Sequence, residues 1–565
     1  MSDADYDLRI VGGTLIDGSG AAGRRADVGV RGGKVVALGE LTGRAEETID
    51  AAGRVVAPGF VDIHTHYDAQ LLWDRMLSIS PWHGVTTVVV GNCGFGVAPT
   101  RQAHRKLILQ TLEKVEGMSL AALQAGLGDE WPFETFPEYL DVIEKTGTAI
   151  NVAALVGHTP VRLYVMGPDS TERPASAEEI EQMRSLVDEA LEAGALGFAT
   201  SKSTTHVGYA GRPVPSRLAE FEEIRALAAP LARYEHGVLQ ATVGRDLFFD
   251  EFATLARETG SPVSWTALLA GMMGPGSHRG LLERSSQIIE EGIPVYPQVA
   301  CRPLNFEFNL LEPFIFESMS IFKPISAADF EGKCRIYADP SFRSKLREKA
   351  GPGSNGNFAR RWSDTMIAWC PNDRSLEERP LLDVAKERDL DPVDLMCDLS
   401  LENRLETRFR MGVVNTDEDE VEELLTHPDT VLGLSDAGAH ASQLCDACFS
   451  THLLSRWVRE RKALTLERAV HMLTARPAEI FGITDRGLLT EGRPADIVVF
   501  DPETVSASPL RRVADLPGGA DRLISEAAGI DAVIVNGRVV RRNGEDALRP
   551  EEDLPGRLLR RGRAS

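Results

Sequence analysis

The strongest constraint on the fold is the repeated alternation of short apolar strands with helix-length amphipathic segments through the middle of the chain. Strand-length apolar runs that alternate with helical periodicity indicate successive β-then-α units. The eight predicted strands span residues 61–63, 87–90, 150–156, 196–200, 238–243, 263–268, 295–299 and 431–434. Eight such units are typical of an α/β fold, the closed (β/α)8 barrel, in which functional residues lie at the carboxyl ends of the strands.

Both ends of the chain indicate a small β-module instead. Residues 1–57 consist of short apolar runs that end at glycine turns. Residues 487–548 hold further strand-like runs, and Asn536-Gly537 between two of them is a strong hairpin signal. Because neither end is long enough to bury a core of its own, we expect the two to form one β-domain beside a barrel that spans residues 58–486.

The predicted seventh and eighth strands lie about 130 residues apart, far more than one crossover helix occupies. We therefore expect an insertion at about residues 301–415, and its many aromatic side chains favour a lid. The last segment, residues 549–565, contains a cluster of arginines and is predicted to be a basic, solvated tail.

The composition argues against several classes of function. The 565 residues carry 84 acidic and 61 basic side chains, a net charge of −23, and nucleic-acid binding needs clustered Lys and Arg instead. Seven irregularly spaced cysteines are not a disulfide framework and favour a reducing compartment. The start of the chain lacks the pattern of a signal peptide, and no run approaches ~20 apolar residues. We expect a cytoplasmic protein that acts on a small molecule, with no nucleic-acid or membrane partner; its oligomeric state stays open, a homo-oligomer included.

The end of the first predicted strand carries two histidines in the pattern His64-Thr65-His66. Alternate residues of a strand share one face, so both imidazoles are expected to point into the barrel. Two inward imidazoles at a strand end form half of a site for Zn²⁺ or a similar ion. His64 and His66 are therefore predicted to be metal ligands.

A carboxylate for the same ion follows the eighth strand, which neighbours the first in a closed barrel. Asp436 is predicted both to ligate the metal and to accept a proton from water; its alternative role is the N-cap of the next helix. His440, in the same loop, is left open between ligand, substrate contact and capping residue. His158 ends the third strand and is predicted to bind substrate or stabilise an oxyanion.

These motifs resemble the amidohydrolase superfamily, and within it the N-acyl-D-amino-acid deacylase (D-aminoacylase) family. The similarity extends over nearly the whole chain and rests on the segments APGFVDIHTHYD (57–68), HGVTTVVVGNCG (83–94), VGH (156–158), GALGFATS (194–201) and RGLLTEGRPADIVVFD (486–501). The resemblance implies a (β/α)8 barrel beside a β-sandwich built from both termini. It also implies hydrolysis of an amide bond by metal-activated water.

The resemblance implies one further ligand, and the chain departs from the family in two places. Cys93 matches a position where D-aminoacylases use a thiolate as metal ligand; the alternative is a buried, inert cysteine. Such enzymes also take one histidine from the fifth strand and one from the sixth, but residues 238–243 and 263–268 contain none. One Zn²⁺ on the strand-one histidines and Asp436 is the leading prediction, and a second ion is left open.

Other side chains could complete the site. Lys202 follows the fourth strand, where many amidohydrolases outside this family place a carboxylated lysine, although an exposed or substrate-facing lysine is favoured here. His206, on the next loop, is predicted to be a ligand or a substrate contact. Arg302 is the best-placed cation for the carboxylate of an acyl amino acid, with Tyr296 beside it, and a salt bridge to the lid explains Arg302 equally well.

The leading hypothesis is metal-dependent hydrolysis of the C–N bond of an N-acyl amino acid, with Asp436 as general base and then general acid. The missing histidines keep an alternative open, in which the same fold acts on a cyclic amide or another C–N bond, or catalyses a non-hydrolytic reaction. A binding protein on a decayed enzyme fold is disfavoured because His64, His66 and Asp436 are all retained.

Overall fold

The computed structural model describes residues 4–317, 319–352 and 361–564. The chain divides into two compact units. The larger unit contains residues 1–302, 419–441 and 445–565, and the smaller contains residues 303–418 and 442–444. No helix among the described residues has both the length and the apolar character that a membrane span requires.

Eight parallel strands form the centre of the larger unit. Their bounds are β1 Phe60–Asp62, β2 Val85–Val90, β3 Asn151–Gly157, β4 Gly197–Ser201, β5 Val238–Thr242, β6 Val263–Thr266, β7 Val295–Val299 and β8 Val431–Leu432. Each strand pairs with the next one along the chain, from β1 to β8. All eight predicted strands are confirmed, with their ends shifted by one or two residues.

The sheet closes through the residues that follow β1 and β8. Thr65 forms a parallel bridge with Ala437, and the His66 amide donates to the Ala437 carbonyl at 2.7 Å. Ser435 Oγ donates to the His64 carbonyl at 3.0 Å. The predicted barrel is therefore confirmed, and its closure places the two histidines beside the loop that carries Asp436.

Helices follow most of the strands and cover the outside of the barrel. In the larger unit, those of at least six residues are Arg105–Glu116, Leu120–Leu127, Phe136–Thr146, His158–Met166, Ala177–Ala193, Phe221–Ala228, Phe249–Thr259, Ser277–Glu290, Leu466–Leu473 and Ala475–Ile480; a four-residue helix, Phe449–His452, runs on into a π-helical stretch, Leu453–Glu460. Outward side chains such as Phe198 and Trp265 pack in this shell. Val61, Ala153 and Val238 point the other way, into the barrel, and belong to a separate apolar cluster. Alternate residues of each strand therefore pack outside and inside the barrel.

The two ends of the chain pair with each other in one sheet. Its seven strands lie in the order Glu545–Asp546, Arg538–Arg542, Ile530–Val535, Ile497–Phe500, Val55–Pro58, Thr14–Leu15 and Arg24–Arg25. A second sheet has the order Lys34–Gly39, Asp27–Arg31, Tyr6–Val11 and Ala45–Asp50. Buried side chains of both sheets, including Ile10, Val28 and Ile497, form one apolar core.

The last residues differ from the solvated tail that the sequence predicted for 549–565. Leu559–Arg560 and Arg563–Ala564 form a small hairpin, and Leu559 is fully buried in the same cluster as Val61. Arg560 forms ion pairs with Asp141 and Glu144 at 2.6 and 2.8 Å. The arginines dominated the prediction, whereas the apolar residues between them determine the packing.

The smaller unit has a core of its own. Its antiparallel sheet has the strand order Leu304–Asn309, Arg408–Val414, Met366–Trp369 and Arg379–Pro380. Its helices are Lys323–Ser326, Phe330–Ala338, Pro340–Ala350, Leu381–Glu387 and Pro392–Glu402, and Glu418–Thr426 leads back into the larger unit. Phe308, Trp362 and Phe409 are buried together in its core. A role of this unit as a lid stays a prediction.

Candidate metal centre

The two histidines after β1 direct equivalent nitrogens toward one oxygen. Both side chains are buried, and their Nε2 atoms lie 3.3 Å (His64) and 3.9 Å (His66) from Asp436 Oδ1. The other ring nitrogens are engaged: His64 Nδ1 lies 2.7 Å from Gln298 Oε1, and His66 Nδ1 lies 3.1 Å from Glu116 Oε1. The two Nε2 atoms are therefore the ones available to a shared ligand.

Cys93 completes a compact set of donor atoms. Its Sγ lies 3.5 Å from His64 Nε2, and the donor atoms of His64, His66 and Cys93 all lie within 4.8 Å of one another. Burial raises the pKa of the Cys93 thiol, but the combined opposite effect of His64 and His66 is larger, so that the pKa falls to about 6. The thiolate is the form that binds metals, and these surroundings favour it near neutral pH.

The imidazoles respond to the same neighbours in the opposite direction. Burial lowers the pKa of both rings, yet Cys93 raises the pKa of His64 above its ordinary value, and Glu116 does the same for His66. The imidazoles of His64 and His66, the Cys93 thiolate and the Asp436 carboxylate therefore face one another. Together they stabilise positive charge in the space between them. A bound cation satisfies such a set of donors.

The loop after β2 holds Cys93 in an unusual backbone conformation. Cys93 has a φ of +56°, and a Cβ on Gly91 would lie 2.2 Å from the Leu155 carbonyl oxygen. Asp68 accepts the Gly91 amide at 3.1 Å. Leu434, Asp436 and His440, in the loop after β8, are also left-handed. Backbone strain of this kind concentrates at functional sites, and here it occurs in both loops that supply the centre.

Asp436 is the most open member of the set. Its side chain is 22% exposed, whereas that of His64 is 1% exposed. The next helix begins only at Phe449, with Cys448 as its N-cap residue, so the alternative role of Asp436 as an N-cap is wrong. Its carboxylate lies between the buried imidazoles and solvent, where a general base can reach a water molecule.

Neutral polar side chains occupy the inner faces of β5, β6 and β7. Gln240 Oε1 accepts the Cys93 amide at 2.6 Å, and Gln240 Nε2 donates to Thr266 Oγ1 at 3.3 Å. Thr266 Oγ1 in turn donates to Thr242 Oγ1 at 3.0 Å. Gln298 Nε2 donates to Ser264 Oγ at 3.0 Å. These strands therefore supply hydrogen bonds at the centre rather than metal ligands.

His158, predicted to bind substrate or an oxyanion, lies in a different buried network. Its Nδ1 pairs with Thr200 Oγ1 and its Nε2 with Glu223 Oε1, both at 2.8 Å, and Glu223 also binds Arg162. His158 is the first residue of the helix that follows β3, and this turns its ring toward the helical layer. The structure does not support the predicted role of His158.

Three predicted substrate contacts are also engaged elsewhere. Lys202 Nζ donates to the carbonyls of Arg217 and Ala219 at 2.7 and 2.6 Å. Arg302 forms an ion pair with Asp446 at 2.8 Å, within the larger unit, so its partner is not the lid of the alternative prediction. Tyr296 is the second residue of β7, packs at the apolar cluster of Val61, and has the Arg476 guanidinium 4.9 Å from its ring centre.

His206 and His440 lie beside the centre but outside the compact donor set. His206 Nδ1 pairs with Ser201 Oγ at 2.7 Å, and its ring centre lies 5.0 Å from that of Phe95. Burial, together with the nearby histidines, lowers the pKa of His206 to about 3. His440 donates its backbone amide to the Glu116 carbonyl. The roles predicted for His206 and His440 stay predictions.

Three residues that contact the predicted ligands were not predicted to do so from the sequence. Glu116 is the last residue of the helix Arg105–Glu116, and no motif or spacing links it to His66. Gln240 and Gln298 could have been found from the sequence. Each lies one or two residues before the end of its strand, at a position whose side chain points into the barrel. A search limited to metal-ligating residue types passes over them.

The chain is similar to known proteins over most of its length. The amidohydrolase family profile matches residues 47–307 and 357–541. The chain is 33% identical to the D-aminoacylase of Alcaligenes xylosoxydans xylosoxydans over 556 residues, which cover 96% of each chain. A solved N-acyl-D-glutamate deacylase from Bordetella bronchiseptica, complexed with zinc and a phosphonate mimic of the tetrahedral intermediate, is similar with a TM-score of 0.66 and 29% identity, covering 98% of this chain and 99% of that one.

A solved D-aminoacylase is similar with a TM-score of 0.66 and 28% identity, covering 98% of this chain and 99% of that one. Its centre is described as binuclear, with one-metal activation and second-metal attenuation. D-hydantoinase, at 14% identity and a TM-score of 0.51, shares the fold.

Proposed function

This chain belongs to the amidohydrolase family, and on that premise we propose that it removes the acyl group from N-acyl-D-amino acids. It is a hydrolase of carbon–nitrogen bonds other than peptide bonds. The observation that carries the proposal is the convergence of His64, His66, Cys93 and Asp436 at neighbouring strand ends. The deacylases among its relatives support the choice of substrate.

We propose that these four side chains hold a single Zn²⁺. Zinc takes nitrogen, sulfur and oxygen donors, and with four protein ligands it would accept water as a fifth; the zinc complex of the related deacylase supports the choice of ion. When bound, the ion supplies Lewis-acid chemistry, polarising a carbonyl and lowering the pKa of water. A second ion lacks imidazole ligands on β5 and β6, and the one-metal activation described for the related D-aminoacylase supports one ion.

Asp436 is the proton carrier in this proposal. Its carboxylate accepts a proton from the attacking water, and it then donates that proton to the amide nitrogen as the C–N bond breaks. Its partial exposure lets water and substrate reach it, while the buried rings of His64 and His66 keep their positions.

The seven cysteines support a cytoplasmic location. All of them are unpaired in the structure, as expected in a reducing compartment. The substrate is a small molecule, in agreement with the enzymes among its relatives.

The inner faces of β5 and β6 favour one alternative. Because they present Gln240, Thr242 and Thr266 in place of histidines, the same centre could act on a cyclic amide or another C–N bond, or catalyse a non-hydrolytic reaction. A parent enzyme with bound metal that hydrolyses no N-acyl amino acid would support this alternative.

The test compares the parent with Asp436→Asn on panels of N-acyl-D- and N-acyl-L-amino acids. We expect the parent to hydrolyse the D series, and the variant to lose about 10²–10⁴-fold in kcat, the usual contribution of a general acid–base group. Asp531→Asn, in the terminal sheet, is the matched control and keeps the parent rate. An undiminished rate in Asp436→Asn contradicts the mechanism.

A further inference from the structure

Two glutamines reach the centre from β5 and β7, and both are fully buried. Gln298 on β7 places Oε1 2.7 Å from His64 Nδ1, and Gln240 on β5 places Oε1 2.6 Å from the backbone nitrogen of Cys93. Each glutamine is anchored in turn, Gln298 by Ser264 and Gln240 by Thr266. His64 and Cys93 are therefore each held by a glutamine side chain that is itself hydrogen-bonded to a neighbouring strand.

The contact with Gln298 determines which nitrogen of His64 carries the proton. An amide oxygen is only an acceptor, so His64 Nδ1 must donate a proton to it. In the neutral ring, Nε2 is then left with its lone pair, and Nε2 is the atom that faces Cys93 Sγ and Asp436 Oδ1. Gln298 therefore selects the tautomer of His64 that binds a cation at the centre.

The contact with Gln240 holds the backbone turn that aims Cys93. A buried backbone amide needs an acceptor, and Cys93 lies in the turn beyond the end of β2, outside the strand ladder. Gln240 Oε1 supplies that acceptor, and the chain through Thr266 to Thr242 fixes the amide plane. With the turn held in this way, the thiolate lies 3.5 Å from His64 Nε2.

We propose that Gln298 and Gln240 are positioning residues, which orient His64 and Cys93 as ligands without touching the ion or the substrate. The proposal rests on the metal centre of the proposed function. Outer partners of this kind contribute about 10–100-fold to metal affinity.

The experiment measures Co²⁺ binding to the full-length protein by competition with a chelator, together with its absorption spectrum. The thiolate-to-cobalt charge-transfer band reports Cys93, and the d–d bands report coordination geometry. We expect Gln298→Leu to weaken Co²⁺ binding about 10–100-fold, and Gln240→Leu to reduce the charge-transfer band. Gln298→Glu and Gln240→Glu keep the acceptor oxygen and are expected to restore most of the affinity and the spectrum.

The matched control is Gln70→Leu. Gln70 is a buried glutamine whose amide donates to Asp74 and the Ser78 carbonyl, away from the centre, so this variant keeps the parent affinity and spectrum. Where a leucine variant lowers the unfolding midpoint of the metal-free protein, Gln298→Met or Gln240→Met replaces it. Parent-like Co²⁺ binding in the leucine variants overturns the proposal, as does an equal loss in the leucine and glutamate variants, which indicates packing alone. Co²⁺ binding without deacylase activity in the parent overturns the proposed function and leaves the positioning roles intact.

Discussion

At the scale of single residues, three of the four proposed ligands are contacted at a second atom of the same residue. His64 Nδ1 is hydrogen-bonded to Gln298, and His66 Nδ1 lies 3.1 Å from Glu116 Oε1 in an ion-pair contact. Cys93 is held through its backbone amide. Because the ligands are oriented before any ion arrives, little conformational freedom is lost on binding. The chemistry of the centre therefore depends on side chains that do not themselves bind metal.

Replacing Cys93 by serine tests whether the thiolate is a ligand. The hydroxyl of Cys93→Ser fills nearly the same space but does not ionise near neutral pH, so we expect zinc affinity to fall by more than the about 10–100-fold given by loss of an outer partner. Zinc affinity is measured by competition with a chelator. Cys301→Ser is the control, because Cys301 is buried and donates only to the Phe449 carbonyl, which serine can also do. Equal affinities in the two variants would show that Cys93 is an inert core residue.

Sequence patterns located the ligands better than the residues around them. His64 and His66 could be predicted because strand alternation is a local property, and Asp436 because β8 closes on β1. His158 does lie at the end of β3, but its ring points toward the helical layer instead of the centre. The direction of the ring depends on where the next helix begins, which the sequence pattern did not give. Glu116 reaches His66 only through the packing of a whole helix, which no local pattern encodes.

At the scale of elements, the strands form a regular frame and the loops after them carry the strain. Cys93, Asp436 and His440 all have positive φ. Glycines in the same loops allow other backbone segments of the barrel to approach closely. Gly91 has a φ of +86°, and Gly438 has a φ of +92° next to the His66 carbonyl. The energy of such conformations, about 1–3 kcal/mol for each non-glycine residue, must be offset by the surrounding hydrogen bonds.

Gly91→Ala tests how tightly the loop of Cys93 is constrained. The new methyl group would meet the Leu155 carbonyl at 2.2 Å, so we expect a loss of about 1–3 kcal/mol in the free energy of unfolding from the clash alone, together with weaker metal binding. Gly53→Ala is the control, because Gly53 has a φ of +74° but open space around it, and it measures the backbone strain without the clash. Equal unfolding midpoints for the two variants would contradict this account of the loop.

The sequence predicted all eight strands because each is a short apolar run with clear borders. It did not predict the loop contacts, such as those of Lys202, whose ammonium turns back to two backbone carbonyls. Loop conformations depend on contacts with residues distant in sequence, so periodicity carries no information about them.

At the scale of the whole molecule, the two ends of the chain stabilise the larger unit. The terminal strands share one sheet, and the final segment returns to the barrel, where Leu559 packs with Val61 and Phe481. The sequence indicated the shared β-domain through its strand-like ends. It did not indicate the docking of the last residues, because two leucines among arginines are a weak signal.

Leu559→Ala tests the contribution of this docking. Truncating a fully buried leucine removes apolar contacts and leaves a cavity, so we expect a loss of about 2–5 kcal/mol in the free energy of unfolding, measured for the larger unit by thermal or denaturant unfolding. Val36→Ala is the control, since Val36 is 42% exposed and its truncation should change the stability little. A parent-like midpoint in Leu559→Ala would mean that the segment is a dispensable tail.

We propose that the hydrolytic activity of this chain depends on one metal ion held by His64, His66, Cys93 and Asp436. A titration of the metal-free protein with Zn²⁺ measures bound zinc per chain and deacylase activity in the same samples. Activity is expected to rise in step with binding and to reach its maximum at one ion per chain. Full activity in the metal-free protein, or activity that appears only with a second bound ion, would contradict this proposal.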